Sequence, residues 1–124
     1  MSWKTIKAKI LGRHEHAEEH DAEVRLVLGF GDLRVAIVVR QADDAAVVVA
    51  QVANGTAHQI IAMLRAATNL DIPLVVFGDT ACVRTRITAD NVEEALQATA
   101  RAALRVRRAA VPARADVAAF AFAL

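Results

Sequence analysis

VRLVLGFGDLRVAIVVRQADDAAVVVAQVA, residues 24–53, is the stretch whose reading decides the fold. It divides into three runs rich in β-branched residues. In the first, Val24, Leu26, Leu28 and Phe30 fall on one side; in the second, Leu33, Val35, Ile37 and Val39 do the same. Apolar residues at every second position mark a strand with one face in a core. Gly29, Gly31 and Asp32 carry turn chemistry between these runs, and residues 41–44 supply the next turn. The third run, AAVVVAQVA, is apolar on both sides, so alternation does not choose its inward face. It reads as a strand covered on both faces, with Val47 and Val49 as candidate contacts to a second subunit. Together the three runs predict an antiparallel meander.

Upstream, Trp3, Ile6, Ile10 and Leu11 recur at helical spacing, with Ser2 as a candidate N-cap and Gly12 as a stop. Residues 13–23 are highly polar and read as a helix extension or a linker. Downstream, Thr56 and Gln59 have the spacing of a capping box. A second helix is predicted from there to Leu70, with Ile60, Ile61, Leu64, Ala67 and Leu70 inward. Pro73 cannot continue it. LVVF and ACVRTRI flank Gly78-Asp79 as a hairpin. A third helix is predicted over 91–108, capped by Asp90 with Glu93. Its inward residues are Val92, Leu96, Thr99, Ala103 and Val106, and Arg105, Arg107 and Arg108 complement its C-terminal dipole. The fold class is therefore α+β in the order α-β-β-β-α-β-β-α, with helices mainly on one sheet face. Residues 1–108 form the expected single domain, and 109–124 a tail with an apolar end, FAFAL, that suits strand addition at a sheet edge.

A chain of 124 residues suits one domain. Cys82 is the single cysteine, so an intrachain disulfide is impossible, and a reducing cytoplasm is the expected location. The N-terminal region is charged and periodic, unlike a signal peptide, and no apolar run approaches a membrane span. The net charge of +1 points to neither nucleic acid nor an anionic membrane as a partner. Alanine abundance and arginine in place of lysine suggest a bacterial, GC-rich coding sequence.

The element order, the length and the helix ITADNVEEALQATARAAL after the hairpin resemble the type III secretion chaperones and the related YbjN-like proteins over residues 2–108. The resemblance implies a homodimer that binds extended segments of a partner polypeptide, possibly co-encoded, without catalytic residues. A roadblock-like domain is the rival of similar size, with its middle helix after two strands.

Candidate chemistry is sparse. His14, His16 and His20 with Asp21 have spacings that can chelate, but no second ligand group accompanies them, and a solvated polar turn accounts for them. A metal-dependent enzyme on that cluster is the least favoured reading. Cys82 with His58 as nucleophile and base has nothing in the sequence to bring the two together. No catalytic residue, metal or cofactor is expected. The arginines are more informative. If Leu26, Leu28, Val35, Ile37, Val83 and Ile87 face the helices, then Arg25, Arg34, Arg40, Arg84 and Arg86 face away, among Val27, Ala36 and Val38. That face is either an ordinary solvated one or a partner surface, because arginine among aliphatic residues suits desolvated recognition of carboxylates and carbonyls. RNA fits less well, since the sheet offers only Phe30 and Phe77 for stacking. Trp3, Ile6 and Ile10 are further candidates to line a groove, or else complete the core. The leading expectation is a non-catalytic, chaperone-like binding module; the alternative is a small regulatory or scaffold domain that only dimerises.

Overall fold

The computed structural model describes residues 3–43, 45–87 and 91–110. The elements are α1 (Trp3–Arg13), β1 (Glu18–His20), β2 (Glu23–Phe30), β3 (Leu33–Ala42), β4 (Ala45–Asn54), α2 (Ala57–Asn69), β5 (Leu74–Phe77), β6 (Thr80–Ile87) and α3 (Val92–Ala110). The strands form one six-stranded antiparallel sheet in the order β1-β2-β3-β4-β6-β5. The expected meander is β2-β3-β4 and the expected hairpin is β5-β6. The hairpin folds back so that β6 lies against β4 and β5 becomes the edge. The strand β4 therefore sits mid-sheet, with neighbours on both sides.

The tight turns follow from single residues. Gly31 and Gly78 take φ of 64° and 62°, each at the first central position of a two-residue hairpin loop. Glycine holds that conformation without steric cost. The Thr56 amide donates to Gln59 Oε1 at 2.9 Å, and the Gln59 amide donates back to Thr56 Oγ1 at 3.3 Å, so the capping box that starts α2 is complete.

Two local expectations are corrected. The polar stretch after α1 is neither helix nor linker throughout: Glu18–His20 pair with β2 as a short edge strand. Its position is held by Lys7, whose Nζ lies 2.7 Å from Glu19 Oε2, tying α1 to β1. In addition, α1 runs through Gly12 to Arg13 rather than stopping there.

All three helices cover one side of the sheet. Helix α3 crosses β3, β4 and β6, and α1 and α2 lie beside it. Its residues Val92, Leu96, Thr99, Ala103 and Val106 are buried, as their spacing predicts. On the sheet, Val24, Leu26, Leu28, Val35, Ile37, Val39, Val83 and Ile87 form the matching inner face. The two-sided apolar strand resolves as Ala46, Val48, Ala50 and Val52 inward. Alanines alternate with valines there, and Ala100 and Ala103 answer from α3, so small and large residues interleave in a close-packed layer.

The stripe on α2 lies differently from expectation. Ile60, Met63, Ala66 and Ala67 are buried, while Ile61 and Leu64 are exposed. The helix packs against α3 and β6. The short edge strand β5 leaves one flank of its apolar arc without cover. Ile6 and Ile10 are each 1% exposed and belong to the core. They therefore line no groove, because α3 and the inner sheet face close over them. Trp3 is half-buried against the same core.

Candidate functional site

The sheet face opposite the helices is where the chain's recognition chemistry lies. Residues directly opposite in an antiparallel ladder point to the same side, so the pairing registers fix its layout. One cross-strand row reads Glu23, Arg40, Val47, Arg86. The next reads Glu18, Arg25, Val38, Val49, Arg84. Between those rows and the far end of the sheet lies a neutral row. It consists of Val27 and Ala36, paired across β2 and β3, then Gln51, Cys82 and Val75, paired across β4, β6 and β5. At the far end stand Arg34 on β3 and the pair Thr80–Phe77.

The five arginines named from the sequence are all exposed and all on this face. Among the described residues, no helix packs on it. Where the neutral row crosses β3, β4 and β6, the small side chains of Ala36 and Cys82 leave a hollow of about 380 Å3. Val38 and Val49 wall it on one side and Phe77 closes one end, with Arg40, Gln51 and Thr80 as polar residues of its lining. Phe77 is 50% exposed and Val27 59%, a large apolar offering for one sheet face.

Charge on the face is uneven. Glu23 accepts from Arg25 Nε at 2.5 Å and lies 3.5 Å from Arg40 Nε. The hydrogen bond from Arg25, with the added field of Arg25, Arg40 and His20, holds the Glu23 carboxyl below its ordinary range. Neither Arg34 nor Arg84 has a carboxylate partner among the described residues. The face thus combines an apolar trough with guanidinium groups left to water.

Val47 departs from the role expected of it. It lies on this face but is only 7% exposed, between Arg40 and Arg86 in the same row. Long arginine stems cover apolar neighbours of this kind, so Val47 has almost no surface to give a second subunit. Val49 remains half-buried in the wall of the hollow.

The histidines do not converge. His14 Nε2 is 2.8 Å from Glu93 Oε2 on α3, His16 faces solvent beside Glu15, and His20 pairs with Glu18. Among the described residues, no three His, Cys, Asp or Glu side chains are placed to hold a metal ion. His58 stands exposed in the first turn of α2, on the helical side, while Cys82 points to the opposite face. The sheet separates them. Burial pushes the Cys82 thiol up from its ordinary value.

Sequence reasoning missed two features. Gln51 and Cys82 meet in the hollow only because β6 inserts between β4 and β5, a neighbour relation that no local pattern encodes. The other is Arg107, which looked like a dipole-complementing surface arginine. It is 8% exposed and reaches the sheet beneath α3. Its Nε donates to the Val52 carbonyl at 2.8 Å, Nη1 to that of Arg34 at 3.1 Å and Nη2 to that of Gln51 at 3.3 Å. A signal existed: Arg107 follows Val106 on the inward arc that also contains Ala103 and Ala100.

The chain matches no model of a protein family, no curated protein and no solved structure. Among the described residues no helix is long and apolar enough to cross a membrane.

Proposed function

We propose that this chain is a protein-binding module that works by holding a segment of a partner polypeptide, and that it does so without catalysis. It would be a homodimeric, cytoplasmic, chaperone-like domain of the kind implied by its resemblance to type III secretion chaperones and YbjN-like proteins. One observation carries this reading: an apolar trough and five arginines share the sheet face opposite the helices. Interfaces enriched in arginine and aliphatic contact, and poor in lysine, have this composition. The separation of Cys82 from His58 and the dispersal of the three histidines favour binding over catalysis.

The test is a photo-reactive phenylalanine analogue placed at Val27, which is exposed beside Ala36 on the same face but outside the hollow, in the full chain inside a producing cell. The cross-linked polypeptide is identified by mass spectrometry, and the segment it contributes is then titrated against purified protein. Saturable binding that weakens with Arg34→Glu supports the proposal. Cross-linking confined to solvent-exposed background proteins, with no titratable segment, overturns it. Light scattering decides the dimer separately. A monomer at micromolar concentration removes that part of the proposal.

A further inference from the structure

The chemistry of the occupant follows from the same face, and the inference rests on the binding role proposed above. We infer that the trough takes an extended acidic segment, with one bulky apolar side chain in the hollow and carboxylates on either side of it. The hollow supplies the first half of the pattern. It lies over Ala36 and Cys82, whose small side chains leave room, and its walls are Val38, Val49 and Phe77. A leucine- or phenylalanine-sized group fills such a space and buries apolar area on both partners.

The arginines supply the second half. Arg34 and Arg84 stand on opposite sides of the neutral row, on β3 and β6, and neither has a carboxylate partner among the described residues. They are two strands apart and about four residues apart along the strand direction. At ~4.8 Å between strands and ~3.3 Å per residue, their backbone positions are roughly 16 Å apart. An extended chain covers that distance in about five residues. The matching pattern is an Asp or Glu, a large apolar residue two or three positions on, and a second Asp or Glu beyond it. Guanidinium forks bind carboxylates in a bidentate manner, which selects acid over other polar groups.

Two other occupants fit less well. A second copy laid face to face would oppose two faces that each carry five arginines against two glutamates, Glu18 and Glu23, a net like-charge arrangement that opposes association. A nucleic acid would satisfy the guanidinium groups. However, Phe77 at the edge is the only aromatic ring lining the hollow, and Glu18 and Glu23 occupy the β1–β2 end of the face.

The experiment selects random twelve-residue peptides from a displayed library on purified full-length protein, and repeats the selection on Arg34→Glu/Arg84→Glu. The expected result is enrichment of Asp or Glu around one Leu, Ile or Phe on the parent, and loss of the acids or a swap to Lys or Arg on the charge-reversed variant. Synthetic peptides from the parent selection should bind the variant about tenfold more weakly or worse. Ala36→Trp, at an exposed strand position, should fill the hollow and abolish binding with an unchanged circular dichroism spectrum. Neutral or basic peptides that Ala36→Trp still abolishes would overturn the acidic occupant and leave the binding face standing. Peptides indifferent to Ala36→Trp would overturn both. Three further results also overturn the inference. They are competition by a single-stranded oligonucleotide at equal concentration, a dimer dissolved by Ala36→Trp, and an intramolecular cross-link from a photo-reactive probe at position 27 to residues 111–124.

Discussion

Arg107 on α3 donates from Nε to the carbonyl of Val52 on β4 at 2.8 Å, joining residues 55 positions apart. The place is specific. The β4 ladder with β6 shifts register between Gln51 and Ala53, and regular pairing of β3 with β4 ends at Ile37–Ala50. Beyond that point the carbonyls of Arg34, Gln51 and Val52 turn to Arg107. A β-bulge always leaves a backbone group to be satisfied, and here a guanidinium does so from the helix layer. Its five donors in a planar fork suit three converging carbonyls better than a single ammonium would. The same contact fixes the end of the trough, because Arg34 and Gln51 both contribute side chains to the opposite face.

Replacing Arg107 with methionine keeps the stem and removes the donors. Three carbonyls near the bulge then lose their partner, and the expected loss of stability is about 3 kcal/mol. Arg107→Lys should recover only part of it. Urea unfolding followed by circular dichroism measures both, and a loss below ~1 kcal/mol for the methionine variant would mean that water replaces the guanidinium at no cost.

The His14–Glu93 contact ties the loop after α1 to the first turn of α3, at 2.8 Å. Partial burial raises the Glu93 pKa, but hydrogen bonds from His14 and Gln97 and the charges of His14 and Arg13 outweigh it, so the pKa lies below the ordinary 4.5. A folded-state pKa below the unfolded one means stability that is present above about pH 4.5 and is lost as pH falls through the lowered value. Solvent screening keeps the contribution to about 0.5–1 kcal/mol. Glu93→Gln should therefore be less stable than the parent at pH 7, and the gap should close towards pH 3. Parallel unfolding curves across that range check the sign.

Cys82 is 5% exposed, and burial raises its thiol pKa. Less thiolate and less access should both slow alkylation. At pH 8 the native protein is expected to react with iodoacetamide at least about tenfold more slowly than the urea-unfolded chain. Mass spectrometry of timed quenches gives the ratio. Equal rates would mean that the floor of the trough is open at position 82.

The order of elements was legible from local chemistry. Alternation in residues 24–39 set two strands and their inward faces, Thr56 and Gln59 set the start of α2, and Gly78-Asp79 set the hairpin. Each depends on residues within a few positions of one another. The inward stripe of α3 was legible for the same reason. Places where a segment's environment outweighed its pattern were not legible. Glu18–His20 form a strand because Lys7 and the open edge of β2 receive them, although their composition is that of a solvated loop. Ile61 and Leu64 stay exposed because the sheet beneath α2 ends in a four-residue strand.

The sequence by itself determined that Arg25, then Arg34 and Arg40, then Arg84 and Arg86 would each lie opposite the apolar side of their own strand, since period-two alternation places every second side chain on the same side. Only the tertiary structure decided what those arginines surround. The insertion of β6 between β4 and β5 brings Cys82 beside Gln51, 31 positions earlier in the chain, and so completes the trough. The burial of Arg107 was decided at the same level. Strand order depends on which apolar faces pack with the fewest gaps, and that is a property of the whole core rather than of any one stretch.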